Sequence, residues 1–83
     1  MVSQSAIRTA AKEWRDTHSG DALSRLYELH LRRLPEGTPM TEIQQLLGPP
    51  TRRDGSAFWY ETQGVALYVE QDTRGRLGGM KFK

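Results

Sequence analysis

The sequence predicts a single α+β domain over residues 1–83: two N-terminal helices (or one bent helix), a short third helix, then a three-stranded antiparallel β-meander packed on the helices. Three observations carry that expectation. Apolar residues recur at the helical spacings i, i+3, i+4 and i+7 up to Leu34. From Ala57 onward the apolar period becomes two, the period of a strand. Between these regions Gly48, Pro49 and Pro50 form a stop that no helix continues through. A chain of 83 residues suits one domain with one thin core. At that size folding buries only about 60–65% of the surface the unfolded chain exposes.

The helical segment spans residues 4–34. Over Gln4 to Thr17, Ile7, Ala10, Ala11 and Trp14 make one apolar stripe, while Arg8, Lys12, Arg15 and Asp16 lie largely off it. Ser3 or Ser5 caps the start. The "HSGD" stretch interrupts, with Gly20 suited to a left-handed helix end and Ser19 or Asp21 to capping the next helix. That second helix, from Asp21 or Ala22 to about Leu34, buries Leu23, Leu26, Tyr27, His30 and Leu34, with Leu31 beside them. The alternative is one helix bent at Gly20, since a mid-helix glycine costs only about 1 kcal/mol. Glu28 and Arg32 stand in the favourable i, i+4 order.

Residues 35–40 form a linker of turn residues, "PEGTP" and Met40. The short helix covers 41–47. Its "TEIQ" opening is a capping box, in which the Thr41 hydroxyl accepts from the Gln44 backbone and the Gln44 side chain reaches back. Ile43, Leu46 and Leu47 point inward. The sheet occupies 57–83. Phe58 and Tyr60 share one face of the first strand and Trp59 and Glu61 the other. Val65, Leu67 and Val69 oppose Ala66, Tyr68 and Glu70 on the second. A tight turn holds Gly64, a second holds Gly75 at positive φ, and the last strand turns Met80 and Phe82 inward, Lys81 and Lys83 outward. Gly78 and Gly79 weaken that strand and mark a bulge or a close approach.

The order "GTPMTEIQQLLGPPTRRDGSAFWYE", followed by "VALYVEQDTRGRL", resembles the SmpA/OmlA (BamE-like) family. There a "G-M-T-x-x-x-V/I-x-x-x-L-G-x-P" helix and turn leads into an aromatic strand of a three-stranded sheet. The matching residues are Gly37, Met40, Thr41, Leu47, Gly48, Pro50, Asp54, Gly55, Trp59 and Tyr60, across about half of the chain, from Gly37 to roughly Leu77. Two residues separate Gly37 from Met40, where the family has them adjacent. The resemblance implies the fold and a protein-binding module. It implies no binding residue, and the family's lipoprotein role needs a signal peptide and a lipidated cysteine, neither of which this sequence carries.

Composition narrows the function classes. With no cysteine there is no disulfide, thiolate zinc site, cysteine nucleophile or lipidated cysteine. No apolar run approaches the roughly 20 residues of a membrane span. The first residues lack the basic and apolar regions of a secretory signal, so if Met1 is the natural start the expected compartment is the cytoplasm. Net charge is only +2, nine arginines and three lysines being interspersed with ten acids. That is weakly basic rather than the one-sided charge of a nucleic-acid binder. His18 and His30 lack the further ligands of a metal site. Glu61 and Glu70, if opposed across the hairpin, are better matched to arginine than to acid–base work. "RGRLGG" lies in a hairpin turn, not between strand and helix, and is no dinucleotide fingerprint. No catalytic residue, metal or cofactor is expected.

The surplus is aromatic. Helices on one side of a small sheet leave the other face bare, and that face carries Trp59, Ala66 and Tyr68. Aromatics ringed by arginine are the usual centre of protein interfaces. The expected partner-binding residues are Trp59 and Tyr68, with Arg52, Arg53, Arg74 and Arg76 in two arginine-bearing loops. The expected function is a noncatalytic protein-binding module, with a second copy of the chain among its candidate partners. Two alternatives stand beside it: a small inhibitor or immunity-type protein, and nucleic-acid binding through the arginine loops.

Overall fold

The computed structural model describes residues 4–83. Helix α1 runs Gln4–Thr17, α2 Gly20–Leu29 and α3 Met40–Leu47, with a 3-10 turn at Leu31–Arg33. Strands β1 (Arg52–Asp54), β2 (Ala57–Glu61), β3 (Ala66–Gln71) and β4 (Leu77–Phe82) form one antiparallel sheet in the order β1-β2-β3-β4. The helices pack on one face of it. The α+β class is as expected, but the sheet has four strands rather than three. The added strand, Arg-Arg-Asp, is exposed throughout and so has no apolar alternation to announce it. The Gly55-Ser56 loop after it, with Gly55 at φ 59°, is the two-residue hairpin signal that could have revealed it.

The two N-terminal helices are separate. Left-handed backbone falls on His18 (φ 54°), not on Gly20. The His18 ring lies edge-on to Trp14, centroids 4.8 Å apart. Ser19 caps α2, its hydroxyl accepting from the Ala22 N–H. Gly20 instead opens α2 against the β2–β3 hairpin, where a Cβ would come within 3.0 Å of Thr62 Oγ1. Of the caps expected for α1, Ser3 lies outside the described residues and Ser5 sits inside the helix.

Helix α2 stops five residues before Leu34. An unbroken helix would carry Leu31 onto the flank, well off the stripe of Ala22, Leu23 and Leu26. The break at His30 (φ −144°, ψ −53°) lets Leu31 turn into the core instead. Leu34 precedes a proline, which disfavours helical backbone, and it is extended at ψ 130°. His30, Tyr27 and Leu34 are only half-buried.

The α3 capping box does not form. The helix begins one residue early, with Pro39 at the cap position and Thr41 exposed within the first turn. Two things draw the start back. Met40 is buried, and its N–H is donated to the Gly75 carbonyl at 3.1 Å. The whole linker is tied to that hairpin: Gly37 N–H donates to the Leu77 carbonyl at 2.8 Å, and Leu77 N–H to the Thr38 carbonyl at 2.7 Å. Asp72 holds the same turn by accepting from the backbone N–H groups of Arg74 and Arg76. Those bonds, Arg76 first, hold its carboxyl below the ordinary aspartate value.

The far end of α3 is the most constrained point of the fold. Its unpaired carbonyls are taken up from outside the helix: Trp14 Nε1 donates to Leu47 at 2.8 Å, Arg15 to Leu46 at 2.9 Å and Gln45 at 3.3 Å, and the Tyr60 hydroxyl to Gly48 at 3.3 Å. Gly48 itself sits at φ 74° and donates its N–H to Gln44. Around this point Ile7, Leu23, Leu26, Ile43, Phe58, Leu67 and Val69 complete one continuous core. Each fully buried side chain of this kind contributes about 1.5–3 kcal/mol.

This terminus can be tested at both of its aromatic donors. Trp14→Phe removes the donor to Leu47 and leaves a void, and is expected to cost about 2–4 kcal/mol in urea unfolding followed by circular dichroism. A cost below about 1 kcal/mol would show the bond to be dispensable. Burial pushes the Tyr60 hydroxyl from 10.0 up to about 12. The fold therefore holds the neutral form: its contribution is intact below pH 10 and is lost as pH rises through 12. A difference of that size corresponds to about 2–3 kcal/mol. Tyr60→Phe should be the less stable chain at pH 8, by about 1 kcal/mol, and the more stable one above pH 11. Parallel unfolding curves with no crossing would refute this.

Candidate functional site

Strand alternation builds the site. On β2, Phe58 and Tyr60 face the helices, so Trp59 must face away, and on β3 Leu67 and Val69 do the same for Tyr68. The register then sets Arg52 opposite Trp59, Trp59 opposite Tyr68, and Tyr68 opposite Lys81. Arg52, Trp59, Tyr68 and Lys81 thus form one row across all four strands, on the face that no helix covers.

The row is in contact along its length from β1 to β3. The Arg52 guanidinium lies 4.5 Å over the Trp59 ring, a cation–π arrangement. The Trp59 and Tyr68 rings meet at 4.7 Å between centroids, tilted by 60°. Thr51 fixes the backbone beneath: its hydroxyl donates to the Trp59 carbonyl at 2.8 Å and accepts from the Glu61 N–H at 2.9 Å. Two acids complete the charge pattern. Glu61 pairs with Arg52 at 3.1 Å, and Glu70 accepts from the Tyr68 hydroxyl at 3.1 Å. Burial first, then that bond to Glu70, raises the Tyr68 hydroxyl above its ordinary value. Glu61 and Glu70 do not oppose each other: Glu61 stands opposite Ala66 and Glu70 opposite Ala57.

Small residues flank the aromatic row. Ala66 and Gly79 lie beside Tyr68 and leave a shallow concavity of about 590 Å³ floored by the two rings and rimmed by Glu70, Lys81 and Lys83. Both aromatic side chains are half-buried, by each other and by Arg52. An apolar floor with cations on two sides and acids between them suits a protein surface of mixed charge.

The six expected residues divide. Trp59, Tyr68 and Arg52 are brought together. Arg53 is not with them: one position along β1, it turns to the helix side and lies 4.7 Å over the Phe58 ring. Arg74 and Arg76 are exposed in the β3–β4 turn, beyond the row of Glu70 and Gly79. The two arginine loops therefore do not converge. Lys81 joins the face by register, a place that follows from pairing the last two strands around Gly75. Among the described residues no cluster of three or more metal-ligating side chains occurs, and no helix is long and apolar enough to cross a membrane. Comparison of the chain with protein-family models, with curated proteins and with solved structures found no match.

Proposed function

We propose that the domain is a noncatalytic protein-binding module that engages its partner through the open sheet face centred on Trp59 and Tyr68. The observation that carries this reading is the continuous row of Arg52, Trp59 and Tyr68, two aromatic rings and a stacked guanidinium preorganised on a rigid sheet. Trp, Tyr and Arg dominate the energetics of protein interfaces, because they bury large area at small cost in conformational freedom. The resemblance to the SmpA/OmlA (BamE-like) family is consistent with such a role.

Charge favours a protein partner over a nucleic acid. Arg52 is already paired with Glu61, Glu70 stands on the rim beside Tyr68, and Arg53, Arg74 and Arg76 lie elsewhere. A phosphate backbone would meet acids as often as bases there. An inhibitor or immunity-type protein is the special case in which the partner on this face is an enzyme or toxin.

Trp59→Ala combined with Tyr68→Ala should leave the circular dichroism spectrum and cooperative unfolding in place while weakening the captured partner by about a hundredfold or more. The measurement is a pull-down from source cells with both chains, the partner identified by mass spectrometry and its affinity then measured. If the double variant unfolds, the two rings are core and the reading fails. Binding that collapses between about 50 and 200 mM salt would point to phosphate contacts instead.

A further inference from the structure

We propose that the outer edge of β4 pairs with the same edge of a second copy of this chain, antiparallel and centred on Met80, joining two sheets into one of eight strands. The inference uses the backbone edge of β4 rather than the aromatic row, sharing only Lys81 and Glu70 with the open face, and stands whether or not that face binds a partner.

The hydrogen-bonding pattern exposes that edge. Ala66 and Lys83 exchange both backbone bonds, so alternation turns Lys81 and Gly79 toward β3 as well. The N–H and C=O groups of Met80 and Phe82 then point outward, and so does the Gly78 carbonyl at the bulge. The Gly78 N–H turns toward β3, because it shares a peptide with the Leu77 carbonyl that accepts from Gly37 on the outside. The linker covers only the beginning of this edge, through Gly37, Thr38 and Leu77. Among the described residues β4 is the last strand of the sheet, so no further strand pairs with the outward groups of Met80 and Phe82. Uncovered strand edges of this kind are templates for a further strand.

Charge selects a second copy and its register. Centred on Met80, the pairing sets Met80 opposite Met80 of the second copy, exchanging two bonds, and lets each Phe82 N–H donate to the Gly78 carbonyl of the other copy. Lys81 then stands opposite Gly79 of the second copy, and the next residue in that row is its Glu70. Gly79 has no side chain, so the lysine reaches across it to the carboxylate, and the twofold axis repeats the contact. Sliding the centre to Lys81 would instead place two ammonium groups face to face. On the helix side the edge is bordered by a groove of about 260 Å³ lined by Tyr27, Leu31, Leu34 and Met80, which the second copy's own flank would cover.

Sedimentation equilibrium from micromolar to sub-millimolar concentration tests this. The chain is expected to reach twice its monomer mass, with amide exchange of Met80 and Phe82 slowing as the dimer forms. Met80→Pro removes only an outward N–H and should give a folded monomer. Lys81→Glu and Glu70→Lys alone should each weaken the dimer by about tenfold or more, and the double exchange should restore it. If Met80→Pro fails to fold, the charge exchange decides alone. A chain that stays monomeric throughout, or a double exchange no better than the single ones, overturns the proposal.

Discussion

The C-terminal end of α3 is where the fold is decided. A helix ends with carbonyl groups that have no partner in the helix, and burying them unpaired is costly. Here the carbonyls from Gln44 to Gly48 are all taken up, by the Gly48 N–H, Arg15, Trp14 and Tyr60. The donors come from α1 and from β2. One short helix terminus thus fixes the position of the first helix, the first long strand and the turn between α3 and the sheet. Trp14 and Tyr60 are also the two largest fully buried side chains, with centroids 6.5 Å apart, so polar satisfaction and apolar packing coincide at one point.

The open face is the counterpart of that economy. A chain of 83 residues has enough apolar side chains for one layer between helices and sheet. Strand alternation then delivers whatever lies at the intervening positions to the outside. Most of those positions here are charged or small, as in Arg52, Glu61, Glu70, Ala57 and Ala66. Trp59 and Tyr68 are the exceptions, and the sheet holds them side by side rather than scattered. The same backbone that makes the core rigid makes their spacing rigid.

Most of the architecture was legible because it follows from period. The stripe of Ile7, Ala10, Ala11 and Trp14 is buried as its spacing requires, and Phe58, Tyr60, Leu67 and Val69 share the core face. Gly75 at φ 77° and the bulge beside Gly78 match their turn and strand signals. What escaped was decided by partners distant in sequence. β1 has no apolar pattern and exists because β2 offers it an edge. Thr41 looks like a cap, yet the helix start is fixed by the Gly75 carbonyl, thirty-five residues away from Met40. His18 takes the left-handed position beside a glycine that would have held it without strain, because Gly20 is needed for the close approach to Thr62. On the site, Trp59 and Tyr68 were readable from alternation. The separation of Arg53 from Arg52 was hidden until β1 was known to be a strand.

The pairing of the linker with the β3–β4 hairpin bears on how the chain is made. During synthesis from the N-terminus, α1 and α2 emerge first, and their apolar stripes can meet. Neither end of α3 can be completed then: its far end needs Tyr60, and its start needs Gly75, with Leu77 holding the linker before it. The last strand is thus the keystone of the first half, and a nascent chain in which β4 has yet to emerge has helices without an anchored frame. The core closes only once β4 can pair with β3 and hold the linker.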